Sequence, residues 1–304
     1  MKRRTCLAGQ RKRTGWMASV ASAAAASAAA VAVVPAHSFA SAAVVSWNQP
    51  AGGNWSGLNW TGGAGANAPA ANDTAAFNLA GSYSVNLNVS PSVAGVQVAG
   101  SNVTFTNSTA GRTFTNSGAL TVSSGGFTLN AANPVNWTNG GAITFNANAT
   151  VSNGNDLSAP SVAVGSGGNG NPIVTFTGAG TSLTLAGGIG VGNGGNGTLN
   201  FSTFATATAA GAIDIAAGGT TGSGVLIVQN GATLASQGIH LGTDADTTLG
   251  RTAGINVGGI GSALTNTGAG SPSAAARSAP GRSSSPTAAS SRPAAAPSPS
   301  VRPA

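Results

Sequence analysis

The side chains with the clearest chemical potential lie in one short stretch, His240-Leu-Gly-Thr-Asp244-Ala-Asp246. Carboxylates at positions i and i+2 of an extended chain lie on one side, about 7 Å apart, a separation that inverting glycosidases use. Carboxylate oxygens also bind Ca²⁺. Both Asp residues stand beside a glycine in a polar turn, however, where Asp is expected for backbone reasons. The sequence therefore favours a turn over a catalytic pair, and it predicts no dedicated metal site and no cofactor.

Other acids and bases are too few and too scattered to enlarge this group. The chain has five Asp, no Glu and no Lys after Lys12, and His240 is the one His outside the first 42 residues. Enzymes that act on polysaccharides bring several carboxylates, or Arg and Lys, to one face to bind substrate and transfer protons. The composition therefore predicts a protein that is not an enzyme.

Large aromatic side chains are concentrated near the start of the chain, where Trp47, Trp55 and Trp60 are three of its five tryptophans. Two interpretations are open for them. A solenoid has open ends whose core must be covered, and large aromatics cover the most area per residue. Exposed aromatic rings can instead stack on sugars, and a surface glycan or cell-wall polymer would then be the partner. The Gly and Asn residues around them favour the cap.

The repeats that follow the tryptophans and carry His240 fill residues 96–268. Short apolar phrases begin at Val162, Ile189, Ile213 and Ile239, so their starts are 27, 24 and 26 residues apart. Each is apolar at i and i+2 and is followed by a small residue, which is the pattern of a strand and a turn. Two further phrases lie in most rounds, so each round of 23–27 residues has three strands. The pattern predicts an all-β fold, a right-handed parallel β-helix.

The spacing reaches back to residue 96 and allows some details to be predicted. Strands recur from Val96 to Leu120 and from Phe127 to Val151, 24 residues apart in both cases. The segments 155–160 and 165–172 are predicted to be loop insertions. Residues 43–95 are expected to form the Trp-rich N-terminal cap together with the first strands.

Threonine flanks several of the inward phenylalanines. The three Thr-Phe-Thr strings are Thr104–Thr106, Thr113–Thr115 and Thr175–Thr177. A regular Thr-x-Thr array at one position of every round is a surface that could bind ice. The spacing predicts that these strings do not repeat at one position, so Thr is expected only as a good strand residue.

The charge of the chain is concentrated at its two ends. The net charge is +7, but six basic residues lie within residues 2–13 and four within 277–302, leaving two Arg and five Asp between them. The central part is therefore acidic and offers no basic face, which argues against nucleic acid despite the pI of 11.4. The single Cys, Cys6, precedes the repeats and gives no disulfide.

Residues 1–42 have the parts of an export signal: a basic start, an Ala-rich apolar stretch over 16–34, and small residues. Cleavage is predicted after Ala40 or Ala42, which leaves no transmembrane segment. A retained anchor is the alternative, since the stretch is about long enough to span a bilayer. Arg3-Arg4 loosely matches a twin-arginine signal, so export through that route is an alternative to Sec. An extracellular or cell-surface location is expected.

Residues 269–304 change abruptly to Ser, Pro, Ala and isolated Arg with no aromatic residue. Such a stretch cannot bury a core and is predicted to be disordered. Two origins are open: a flexible basic tail that contacts anionic wall polymers, or an out-of-frame end that replaced another C-terminus.

Residues 44–268 resemble the exported bacterial proteins known as autotransporter-associated β-strand repeat proteins, which are common in planctomycete-like bacteria. The resemblance rests on Asn54-Trp-Ser and Asn59-Trp60, a turn from Pro69 to Asp73, and the Gly/Asn/Thr-rich rounds. It implies a secreted or surface β-helix without known catalysis, although this chain lacks the Val-Pro-Glu-Pro-type box and C-terminal apolar helix of many such proteins. The expected function is an exported structural or adhesive cell-surface protein; the alternative is a polysaccharide-binding or polysaccharide-degrading β-helix.

Overall fold

The structure is a computed structural model that describes residues 42–62, 67–167, 170–217, 222–242 and 252–268. Nearly all of the predicted export signal and the whole predicted tail, 269–304, lie outside the described residues. Within the described ranges the regular elements are strands, and none is a helix. The all-β class is therefore confirmed.

The described residues form 25 strands, most of them three to six residues long. In chain order they are β1 Val44–Trp47, β2 Gly53–Asn54, β3 Trp60–Thr61, β4 Thr74–Phe77, β5 Gly81–Asn86, β6 Ser92–Val93, β7 Gly95–Val98, β8 Ser101–Thr106, β9 Arg112–Asn116, β10 Leu120–Val122, β11 Gly125–Leu129, β12 Val135–Asn139, β13 Ile143–Phe145, β14 Asn148–Val151, β15 Asp156–Ala159, β16 Val162–Val164, β17 Ile173–Thr177, β18 Ser182–Leu185, β19 Ile189–Val191, β20 Gly197–Ser202, β21 Thr206–Ile215, β22 Gly224–Gln229, β23 Thr233–Leu241, β24 Ala253–Gly258 and β25 Ala263–Asn266.

Except for β3, which runs antiparallel to β1, the strands stack in parallel on three faces, and the chain visits these faces in the same order in every round. The first face is the series β1, β4, β7, β10, β13, β16 and β19, continued by the second halves of β21 and β23. The second face has nine strands from β2 to β24, and the third runs from β6 to β18 and then through the first halves of β21 and β23 to β25. Each strand pairs with the strand one round away, because parallel strands need a long connection between them. The predicted parallel β-helix is confirmed.

The rounds stack in the register that the apolar phrases predict. On the first face Val162 pairs with Ile189, Ile189 with Ile213, and Ile213 with Ile239. The phrases of the second face align in the order Val174, Leu199, Leu226 and Ile255. The apolar residues at i and i+2 therefore predicted both where each strand lies and which strand of the next round it pairs with.

Two details of the predicted spacing are wrong. Phe127 pairs with Ala149 and not with Val151, because the turns of that round are shorter than the preceding ones. The segment 155–160 is not a loop insertion, since β15 occupies most of it and buries Leu157 in the core. A polar start to this strand concealed its single large apolar residue.

One continuous apolar core fills the coil, and most of the predicted inward side chains are buried in it. The N-terminal half of this core is aromatic. Phe114 and Trp137 stack with ring centroids 3.7 Å apart, and Phe105 meets Trp137 edge-on at 5.1 Å. Such pairs contribute about 0.5–1.5 kcal/mol beyond their area burial. Aromatic contacts therefore link successive rounds as well as the faces within one round.

Glycine and asparagine make the corners between faces. Gly125 has φ +81°, and a Cβ atom there would lie 2.0 Å from the Ser101 carbonyl oxygen of the preceding round. Asn116 and Asn139 occupy equivalent corners one round apart, both buried, and the Asn116 Nδ2 donates to the Asn139 Oδ1 at 2.7 Å. This pair satisfies the Asn116 Nδ2 and the Asn139 Oδ1, whereas the buried Asn139 Nδ2 has no hydrogen-bond partner in the described part of the chain.

Described strands cover the last described round on one side only. Leu241 and Val257 are 46% and 44% exposed, whereas their register partners one round earlier, Ile215 and Val228, are fully buried. The burial predicted for these two residues is therefore wrong. They point inward as the alternation requires, but no described strand lies above them.

Candidate functional site

Hydroxyl side chains form a straight column on the outside of the second face. Its members are register partners in five successive rounds, in the order Ser84, Thr104, Thr128, Thr150 and Thr175. Because parallel strands lie about 4.8 Å apart, the hydroxyl groups repeat at that interval along the coil. We call the outward surface of β5, β8, β11, β14 and β17 the hydroxyl face.

A second column of the same kind lies on the third face. It consists of the register partners Thr115, Thr138, Ser158, Thr184 and Thr208. A parallel column two residues earlier in each strand is also polar, in the order Thr113, Asn136, Asp156, Ser182 and Thr206. Two of the three faces thus present ordered rows of short polar side chains.

The prediction that the Thr-Phe-Thr strings do not repeat at one position is confirmed for Thr113–Thr115 and is wrong for the other two strings. Thr104–Thr106 and Thr175–Thr177 occupy the same place on the hydroxyl face, and Thr113–Thr115 begins the columns of the third face. The members of the first column are 20, 24, 22 and 25 residues apart, because turns of different length absorb the difference. No fixed period in the sequence could show the column, but outward positions aligned by their inward neighbours would have found it.

The hydroxyl face is electrically neutral. The five strands that form it contain no Asp, Glu, Lys or Arg. Each hydroxyl group both donates and accepts hydrogen bonds, and each Thr adds a methyl group of low polarity. The face is therefore suited to an uncharged ligand that also carries many hydroxyl groups.

The three predicted cap tryptophans lie in the core at the N-terminal end. Trp47, Trp55 and Trp60 are each 1–2% exposed. Trp60 meets Trp47 edge-on at 5.0 Å and Trp55 at 4.8 Å, and its indole nitrogen donates to the Trp55 carbonyl at 2.8 Å. The rings close the first rounds as a cap, and their faces are covered by protein. A sugar cannot stack on them in this arrangement.

Tyr83 extends this aromatic cap on the second face. Its ring is stacked on Trp47 with centroids 6.1 Å apart and an angle of 9°. Burial raises the pKa of Tyr83 above its ordinary value of 10.0, and the Ser101 side chain acts in the opposite direction. The cap therefore favours the protonated phenol.

We expect the stability of the cap to fall at high pH for this reason. The phenol has a raised pKa in the folded chain, so its contribution is complete below about pH 10 and is lost as the pH rises towards the raised value. Tyr83 is the single tyrosine, so tyrosinate absorbance reports this group alone. The titration midpoint should be higher in the native than in the denatured protein, and Tyr83→Phe should remove the alkaline loss. Equal midpoints would contradict the buried cap.

His240 has an acidic partner that the sequence did not indicate. Its Nδ1 lies 2.7 Å from the Asp214 Oδ1, because the two residues are register partners on the outside of the first face. Both side chains are about half exposed, at 58% and 43%. Solvent screens such pairs, which contribute about 0–1 kcal/mol. Asp244 and Asp246, the predicted neighbours of His240, lie outside the described residues.

The other described carboxylates hold the chain in place. The Asp73 Oδ1 accepts from the Ala43 backbone at 3.0 Å, and its Oδ2 accepts from the Ala70 backbone at 2.9 Å. Asp156 accepts from the Ser182 hydroxyl of the next round. Each of these carboxylates therefore has a structural partner within the coil.

No group of three His, Cys, Asp or Glu side chains is placed to hold a metal ion among the described residues. Nor does the described portion contain a helix that is long and apolar enough to cross a bilayer. The predicted apolar stretch at 16–34 falls outside it.

Comparison with known proteins identifies no relative. No protein-family profile, no curated protein and no solved structure matches the chain.

Proposed function

We propose that this protein is an exported structural or adhesive rod that lies at the cell surface and binds a neutral polysaccharide through its hydroxyl face. The observation that carries the proposal is the column from Ser84 to Thr175, a neutral row of hydroxyl groups in fixed register. In this proposal the coil is the structural element, and the hydroxyl face makes the contact with the polysaccharide.

The chemistry of the face favours a polymer with many equivalent hydroxyl groups. A single hydrogen bond contributes about 0.5–1.5 kcal/mol net, so one rung binds weakly and several are needed. The backbone of the face is fixed by ladders on both sides, so little conformational entropy is lost on binding. A polysaccharide chain or sheet supplies repeated contacts, whereas a small sugar does not.

Export is part of the proposal and has a direct test. The first strand, β1, begins at Val44, so cleavage after either Ala40 or Ala42 leaves every described strand in the mature chain. We expect cell fractionation to recover the protein outside the cytoplasm with a mature N-terminus at Ser41 or Ala43. Recovery of an intact cytoplasmic chain would contradict the surface role.

Binding can be tested by retention on insoluble neutral polysaccharides. Thr128→Val with Thr150→Val removes two hydroxyl groups of the column and preserves side-chain shape and strand preference. The matched control is Thr121→Val with Thr144→Val, at outward positions of the first face in the same rounds. We expect the first pair to weaken retention about thirtyfold, at about 1 kcal/mol for each of the two lost hydrogen bonds, and the control to leave it unchanged.

Other outcomes separate the alternatives. Equal weakening by both pairs, or no retention of the unaltered protein, would overturn the role of the hydroxyl face. Release of soluble sugar that is abolished by Asp244→Asn and Asp246→Asn would instead support a polysaccharide-degrading enzyme.

Ice is a second candidate ligand, and the stacked threonines are the observation that favours it. Thr104, Thr128, Thr150 and Thr175 bring hydroxyl and methyl groups into one row. Such a row can hold ordered water in register with a crystal surface. Inhibition of ice recrystallisation that is lost in Thr128→Val with Thr150→Val, without polysaccharide retention, would favour ice over the glycan.

A further inference from the structure

We propose that two copies of this chain associate end to end through the open last round of the coil, with the C-terminal end of one coil against the C-terminal end of the other. This inference is independent of the ligand of the hydroxyl face. It starts from strand edges. Among the described residues, β24 pairs only with β22, β25 only with β23, and residues 238–241 of β23 only with β21. One free edge therefore remains on each of the three faces.

The open round also leaves apolar side chains in contact with solvent. Leu241 and Val257 are 46% and 44% exposed, and Ile260, in the turn between the last two strands, is 99% exposed. Ile255 and Leu264 are only partly buried, whereas their partners one round earlier are covered. A further rung of strands is the geometry that would cover all of these residues. Terminal repeats of solenoids normally carry a polar outer face for this reason.

The free edges carry none of the usual protection against pairing. Natural edge strands are blocked by inward charges, proline or a covering loop. Residues 252–268 include no Asp, Glu, Lys, Arg or Pro. β24 and β25 are therefore neutral, and the one ionisable side chain of residues 238–241, His240, points outward beside Asp214. The inward side of this end is apolar, and its edges can form new backbone hydrogen bonds.

Two stretches outside the described residues adjoin this end, 243–251 and 269–304, and the composition of neither is suited to cover it. The first has one large apolar residue, Leu249, among nine. Residues 269–304 follow directly from the last round, and their 36 residues exceed the length of one round. They contain one large apolar side chain, Val301, and seven prolines. Proline cannot donate to a strand ladder, and a single valine cannot replace the inward pairs of a rung. A second copy supplies both the backbone N–H donors for a strand ladder and the inward apolar side chains of a rung.

The other end of the coil explains why the same ends meet. There β3 runs antiparallel to β1 and covers its edge, and although β2 and β6 each have one described partner, the cap tryptophans are only 1–2% exposed. A head-to-tail contact would set the exposed apolar residues of the last round against an end whose apolar core is already covered. Contact between two C-terminal ends is isologous and closes as a dimer with two-fold symmetry. The symmetry places β24 antiparallel to its own counterpart and β25 beside residues 238–241 of the second copy.

Sedimentation of the full mature chain tests the association. We expect a dimer that dissociates on dilution and does not grow into longer species. Val257→Lys places an inward charge on the free edge and should shift the population to monomer by at least tenfold in dissociation constant. Gln229→Lys, at an outward position of β22 one round earlier, is the matched control and should remain dimeric. Circular dichroism and melting should confirm that both variants keep the coil.

A cross-link tests the orientation without charging the core. Asn256 lies near the middle of β24, where the two-fold axis brings the strand to its counterpart. When an added oxidant takes up the two electrons and two protons of the paired thiols, Asn256→Cys should form an intermolecular disulfide in the mature chain without Cys6, because paired strands bring Cα atoms within about 4.4–6.8 Å. Asn102→Cys, on the same face far from the end, should not.

Three results would overturn the proposal. The first is a monomer at all concentrations. The second is a concentration-dependent series of longer species without the Asn256→Cys cross-link, which would indicate head-to-tail contact. The third is a monomeric full chain that dimerises only after deletion of residues 269–304, which would show that the tail covers the end.

Discussion

Ile215→Asp is expected to abolish folding of the C-terminal rounds. Ile215 is fully buried on the first face, in register with Val191 and Leu241. Its Cγ2 would lie 2.7 Å from a Cβ atom placed on Gly224, so the surroundings are tightly packed. Removing the apolar side chain and burying an unpaired carboxylate should together cost more than about 4 kcal/mol. That loss is comparable with the total stability of many domains.

Denaturation followed by circular dichroism, together with limited proteolysis, would measure this effect. Because each round contacts only its neighbours, rounds near the substitution should become protease-sensitive while the aromatic N-terminal half stays resistant. Ile215→Val should cost only about 0.5–1.5 kcal/mol. Thr208→Asp, at an exposed outward position of the same strand, should change stability by less than about 0.5 kcal/mol. Unaltered melting of Ile215→Asp would place this residue outside the core.

Trp60→Ala is expected to cost about 3–5 kcal/mol. Trp60 is 1% exposed and contacts Trp47, Trp55 and Phe77 with ring centroids 4.8–5.5 Å away. The substitution therefore removes three aromatic contacts and an indole hydrogen bond, and it leaves a cavity under β3. The expected result is a large fall in the melting temperature with early exposure of the first rounds.

Leu58 provides the matched control for the tryptophan. It lies two residues away in the same segment and is 81% exposed, so Leu58→Ala should change stability by less than about 0.5 kcal/mol. If Trp60→Ala melted normally and lost polysaccharide retention, the tryptophan would be a binding platform and the cap would be wrong. We expect instead that Trp60→Ala melts at a much lower temperature and that its polysaccharide retention falls only in proportion to the fraction that is unfolded.

Most of the coil could be predicted from inward side chains. Strands such as Val162–Val164 and Ile189–Val191 show both apolar positions, so spacing alone aligned them. Strand β15 was missed because Asp156 and Ser158 obscure Leu157. A third apolar phrase was also missing in one round, where Ala207 and Ala209 occupy the inward positions and are buried. Small residues can fill a core that their neighbours shape, and sequence hydrophobicity does not record this.

The candidate site was less predictable than the fold. The threonines of the hydroxyl face were visible, but their alignment depends on turns of unequal length between rounds. His240 was paired in sequence with nearby acids, whereas its described partner is Asp214, 26 residues earlier in the chain. Contacts across rounds are set by strand register, and residues separated by one round are closer in space than most sequence neighbours.

The amino-acid sequence by itself determined the strand period, the three-strand round and the inward positions, because alternation of apolar residues acts within a few neighbouring residues. Only the tertiary structure decided which outward side chains form columns, that the tryptophans are covered, and that the last round is open. These properties depend on how one round lies on the next. Strand pairing at about 4.8 Å sets how one round lies on the next. Because the turns differ in length between rounds, the linear sequence does not show this alignment.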